Sequence, residues 1–90
     1  MRVLPDSVTP YKRTGLFTSD NVPDAFLKQH STAKDKWGVL TVQKGSLIFC
    51  DDETQEKIKV AEPDSIVIKP SARHHLELEG YAEFYVEFYA

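Results

Sequence analysis

The sequence predicts an all-β protein, a small antiparallel sandwich or barrel. Three observations carry that reading. Apolar and polar residues alternate over short runs such as HLEL and EFYVEF, turn residues interrupt those runs about every eight to twelve positions, and no stretch holds a long helical period. At 90 residues the chain has length for one core, so residues 1–90 are read as a single domain. Within it, 1–23 form an N-terminal strap and 24–90 the barrel.

The strap carries Pro5, Pro10 and Pro23 among turn-prone residues. It therefore leaves only short extended pieces, near Arg2–Leu4, Tyr11–Arg13 and Gly15–Thr18, which belong at sheet edges because proline lacks the donor a central strand needs. From Ala25 to Ser31 the pattern predicts a short strand with Phe26, Lys28 and His30 on one side, a helical turn after Pro23 being the alternative. Past the polar loop STAKDK, the run WGVLTVQKGSLIFC reads as two strands joined in a hairpin at Lys44-Gly45, with Gly45 supplying a positive φ. Asp51 to Thr54 make the next turn. Glu56 to Val60 alternates as an exposed antiparallel strand should, and Glu62, Pro63 and Asp64 turn the chain again.

The stretch SIVIKPSARHHLEL, Ser65 to Leu78, holds a β-branched strand, a proline corner and two histidines heading a new strand. His74 shares parity with Leu76 and Leu78 and is expected inside, with His75 facing water. A buried imidazole needs hydrogen-bond partners or a metal. The last strand, AEFYVEFY, places Glu87 on the parity of Glu83, Tyr85 and Tyr89, opposite Phe84, Val86 and Phe88. Ordinary alternation turns Glu87 outward, unless the outer face is also covered and the lumen takes Tyr85 and Glu87.

Composition excludes some partners. Eleven basic residues against fourteen acidic ones give a net charge of -3, and the basic residues are scattered, which argues against nucleic acid or an anionic membrane. Cys50 is the single cysteine, so no intramolecular disulfide forms and a reducing, cytoplasmic setting is expected. It is read as an inert buried thiol, because no histidine adjoins it in sequence. No apolar run is long enough to span a bilayer, and the N-terminus lacks the apolar run of a signal peptide. Trp37 and the aromatic ending point to packing and a homodimer interface.

The histidine loop before a glycine hairpin (His30, then VLTVQKGSLIF) and the proline corner before a second histidine (IVIKPSARHH) resemble the two motifs of the cupin superfamily. The ordered set PYKRT, VPDAFLKQHST, KWGVLTVQKGSL, IKPSARHH and FYVEFY is similar to the small tellurite-resistance protein B-like family. That family occurs free-standing and as an N-terminal domain fused to a methyltransferase. The resemblance implies a cupin-like double-stranded β-helix, an antiparallel jelly-roll barrel that is often dimeric.

Carried over by position, His30 and His74 stand where the two motifs place metal-binding histidines. Thr32 replaces a further histidine, and Lys36 and Trp37 occupy the region of the family's glutamate, so the usual ligand set is reduced. The resemblance offers Glu87 as a third ligand. His30, His74 and Glu87 would suit zinc, iron, manganese or nickel.

The leading expectation is a binding domain holding a divalent metal, small molecule or anion, with a role in stress by resemblance. A metal-dependent enzyme, in which two histidines and a carboxylate activate dioxygen or water, is the rival. A dimerising domain without metal is the third reading.

Overall fold

A computed structural model describes residues 4–28 and 30–90, with the backbone alone described at His30. The order of elements is β1 (Pro10–Arg13), β2 (Phe17–Thr18), α1 (Asp24–Leu27), β3 (His30–Ser31), β4 (Trp37–Asp51), β5 (Glu56–Ala61), β6 (Ser65–Ile68), β7 (Arg73–Glu77) and β8 (Ala82–Tyr89). Every pairing among the described residues is antiparallel. The described residues are all-β apart from one four-residue helical turn. The expected piece at Arg2–Leu4 begins outside the described residues.

β4 organises the fold. Its first part, Trp37 to Gly45, lies between β6 and β8, and its second part, Ser46 to Asp51, lies between β5 and β7. The inward side chains of the two halves meet in one core, where Leu40, Val42, Phe84 and Val86 of the first half pack against Leu47, Phe49, Val60 and Leu76 of the second. The strand path runs β1-β8-β4-β7-β3, with β2, β5 and β6 attached to it, and no pairing among the described residues joins β1 back to β3. The sheet is therefore open.

Lys44-Gly45 is not a hairpin, contrary to the sequence expectation. The chain passes through it within one long strand, with a register irregularity between Val42 and Lys44 and Gly45 at φ 71. The positive φ serves a bulge that bends one strand from one half of the sheet to the other. The bulge also shifts parity, so that Leu40 and Val42 point inward before it and Leu47 and Phe49 after it.

The strand expected from Ala25 to Ser31 is shortened to His30–Ser31, because the preceding residues form α1. Pro23 stands at the N-cap in an extended conformation and Asp24 occupies the first turn, a sequence suited to a helix start. The turn lowers Phe26 onto Phe17 and Phe84, with ring centroids 5.3 and 6.2 Å away. Burying that ring decides the local conformation against the two-residue alternation.

The N-terminal segment is laced to β8. Thr9 exchanges backbone bonds with Ala90, Thr14 N–H donates to Val86 O at 2.9 Å, and Ser19 N–H donates to Ala82 O at 3.1 Å. β1, with Pro10 at its start, lies at one end of the strand path, as a proline-bearing strand must. No helix among the described residues is long and apolar enough to cross a membrane.

Candidate functional site

The alternation of β7 sends His74 and Leu76 into the core, 5% and 2% exposed, and leaves His75 and Glu77 on the outer face. β7 ends at Glu77, and Leu78 just beyond packs against the core half-buried. The His74 ring stacks on Phe49 at 5.4 Å between centroids. Its Nδ1 lies 2.9 Å from Ala72 O. A carbonyl only accepts, so Nδ1 carries a proton and Nε2 is the ring nitrogen left for any ligand.

His74 borders a pocket of about 310 Å³ whose walls are Leu40, Ile68, Leu76, Val86 and Phe88. Lys12, Lys36 and Tyr11 also line it, and no carboxylate does among the described residues. The Lys36 ammonium sits 5.1 Å from the centre of the Tyr11 ring, close enough for a cation–π contact. Thr32 lines the same pocket, and its buried Oγ1 has no hydrogen-bond partner among the described residues. A buried hydroxyl without a partner carries a desolvation cost of roughly 1–3 kcal/mol that a bound polar group would relieve.

The three residues expected to hold a metal are placed as follows. His30 pairs with His74 directly across the β3–β7 ladder, so the backbone brings the two histidine positions together. The His30 side chain lies outside the described residues. Glu87 stands on the outer face of β8, where Arg13 Nη2 approaches its Oε2 at 3.3 Å and the Tyr89 hydroxyl donates to its Oε1 at 3.0 Å. Its neighbours of the other parity, Val86 and Phe88, line the pocket. Simple alternation thus governs β8, and the geometry does not bring Glu87 to His74.

A second group of donors lies on the outer face of the β4–β7 ladder, where Cys50 and His75 are direct partners. Sulfur, ring nitrogen and carboxylate oxygen of Cys50, His75 and Glu77 all lie within 4.8 Å of one another. His75 is not simply solvated. Its Nδ1 is 2.9 Å from Asp52 Oδ2, and its side chain is 24% exposed. Burial and the Glu77 carboxylate push the Cys50 thiol above its usual range, with Lys57 pulling the other way. The Lys57 ammonium, hydrogen-bonded to Glu77, holds that carboxyl below the usual range. Sequence reading missed this group because Cys50 and His75 are distant in the chain. Their common outward parity is the signal, and it becomes usable only once the β4–β7 register is known.

Comparison with known proteins identifies the domain. The model of the TehB-like domain family matches residues 12–86. The chain belongs to the TehB-like family. A probable S-adenosyl-L-methionine-dependent methyltransferase TehB of Haemophilus influenzae (strain ATCC 51907 / DSM 11121 / KW20 / Rd) is 36% identical over 72 residues, covering 74% of this chain and 25% of the relative. The protein of the same description from strain 10810 is 33% identical over the same length. The chain thus spans about a quarter of the length of the curated relatives it matches. The crystal structure of TehB from Haemophilus influenzae superposes with a TM-score of 0.83 at 30% identity, covering 94% of this chain and 32% of that one. A crystal structure of a protein from E. coli (strain K12) gives a TM-score of 0.91 at 17% identity, covering 100% of this chain and 97% of that one. That second likeness is one of fold.

Proposed function

We propose that this TehB-like domain is a cupin-like binding module that takes a small anionic ligand into the pocket beside His74. The observation that carries the reading is the make-up of the pocket. Its walls are apolar, its charged lining residues among those described are Lys12 and Lys36, and its remaining polar groups include an imidazole and a hydroxyl with no partner among the described residues. Ligand sites are concave and mostly apolar with a few converging polar groups, and about 300 Å³ is the small end of their range. A ligand there would set its apolar part against Leu40, Ile68 and Val86 and its charge toward the lysines. An oxyanion of a stress such as tellurite would be one such charge, which links the pocket to the theme of the family. Methyl transfer is what the relatives are described as doing. For this chain the proposal is the binding step.

A metal held between His30 and His74 is the second reading, favoured by one observation, the direct cross-strand pairing of the two positions. Two imidazoles are a weak set alone, and with Glu87 held by Arg13 and Tyr89 a third ligand would have to come from the bound anion or water. Such an ion would polarise that bound group. His74 would hold it through Nε2, with Ala72 O fixing the tautomer.

Thermal unfolding with added tellurite and, separately, a short aliphatic carboxylate tests the proposal. A ligand present at one hundred times its Kd stabilises the folded state by about 2.7 kcal/mol, which is readily read as a rise in Tm. The double variant Lys12→Met with Lys36→Met should lose the rise. The anion proposal fails if neither ligand raises Tm, or if the double variant responds like the parent. Zinc-dependent stabilisation abolished by His74→Gln would support the second reading.

A further inference from the structure

We propose that Cys50, His75 and Glu77 form a divalent metal site of the zinc type on the outer face of the β4–β7 ladder, separate from the pocket and independent of its function.

Three donors of different kinds come together there by register. Cys50 and His75 are cross-strand partners, and Glu77 follows two residues along the same face of β7. The His75 Nε2 to Glu77 Oε2 distance is 3.7 Å, and the three donor atoms all lie within 4.8 Å of one another. Tetrahedral zinc with bonds of about 2.3 Å to sulfur and about 2.0–2.2 Å to nitrogen and oxygen needs its ligands about 3.3–3.6 Å apart. The nitrogen–oxygen pair is already close to that spacing. Small rotations of the Glu77 and Cys50 side chains would complete the set.

The support behind the ligands points the same way. Asp52 Oδ2 accepts from His75 Nδ1–H at 2.9 Å, which leaves Nε2, the nitrogen nearer Glu77, as the coordinating atom. A carboxylate behind a histidine is the arrangement that fixes the tautomer and orientation of metal-ligating imidazoles. A thiolate, a carboxylate and a neutral imidazole together carry two negative charges, matching a divalent cation. The Glu77 side chain is 43% exposed, so an ion can enter from solvent, and a fourth position would face water.

The same residues do not suit a hydrolase of the cysteine–histidine–aspartate kind. Cys50 is 2% exposed, which leaves no approach for an acyl carbon. An ion, by contrast, need only reach the space between the three donors.

Lys57 is the built-in competitor. It is the other cross-strand partner of Cys50, and its ammonium lies 3.3 Å from Glu77 Oε2. A metal must displace it from that carboxylate, so removing the ammonium should tighten binding.

Cobalt(II) titration of the reduced protein, followed by absorption, tests the site. We expect one cobalt per chain with a thiolate-to-metal charge-transfer band in the near ultraviolet. Cys50→Ser should remove the band. Asp52→Asn, which leaves every ligand in place, should weaken binding about 10–100-fold. Lys57→Met should strengthen it, and His74→Gln in the pocket should leave it unchanged. If Cys50→Ser fails to fold, Asp52→Asn and Lys57→Met decide the matter. Cobalt that binds without a thiolate band, no binding at all, or an affinity indifferent to Asp52→Asn would each overturn the proposal.

Discussion

His74 and His75 are adjacent in sequence and live on opposite faces of one ladder, the first opposite Asp51 and the second opposite Cys50. A one-residue slip of β7 would exchange them and send Leu76 to solvent, so the burial of Leu76 and Phe49 locks the register. His74→Ala removes a buried ring stacked on Phe49 and should cost about 2–3 kcal/mol. His75→Ala, on the half-exposed face, should cost less than about 1 kcal/mol. Urea denaturation of the two variants checks the ranking. Equal costs would contradict the assignment of faces.

Gly45 is the bend on which both halves of the sheet depend. A Cβ there would run into the backbone carbonyl of Tyr81, and the positive φ adds about 1–2 kcal/mol for any L side chain. Gly45→Ala should therefore destabilise by at least about 2 kcal/mol, measured by the same denaturation. In a free hairpin turn the substitution would leave only the smaller conformational cost.

The outward position of Glu87 has a spectroscopic consequence. Its carboxylate accepts the Tyr89 hydroxyl and raises the Tyr89 pKa above the usual tyrosine range. The folded state thus favours the neutral phenol. The linked stability is fully present below about pH 10, the unfolded value, and is lost as pH rises through the higher folded value. Glu87→Gln should bring the alkaline titration of Tyr89 back toward the usual range. Tyr81, raised by Glu83 instead, serves as the control. A Tyr89 titration unaffected by Glu87→Gln would contradict the contact.

The outer face of β4, β6 and β8 carries Trp37, Val39, Val67, Tyr85 and Tyr89, all half-buried, with Trp37 opposite Tyr89 and Thr41 opposite Tyr85. A second copy of the chain placed by a twofold axis would cover these residues. Sedimentation equilibrium should give twice the chain mass of 10.2 kDa, and Val39→Lys should return the monomer. A parent protein sedimenting as a monomer at micromolar concentration would remove the idea.

Much of this architecture was legible because short β-strands announce themselves by alternation. The inward His74 follows from period-two reading and the edge position of β1 from Pro10, whereas for Glu87 alternation pointed outward and the family resemblance pointed to the lumen. The hairpin at Lys44-Gly45 did not, because a glycine of positive φ signals a turn and a bulge equally, and only the pairing partners of β4 distinguish them. The helical turn at Asp24–Leu27 depends on Phe26 reaching Phe17 and Phe84, contacts far apart in sequence. The Cys50–His75 pair required a register that no local pattern encodes. Of the pocket, His74 was legible, while Lys12, Lys36 and Thr32 join it through the fold.

The pocket itself is tested most directly by titrating tellurite into isotopically labelled protein and following the backbone amide resonances. The proposal predicts saturable shifts concentrated at Thr32, Lys36, Gly38 and His74, lost in the Lys12→Met, Lys36→Met double variant. Shifts confined to the opposite face around Cys50 and His75, or no saturable shifts at all, would contradict it.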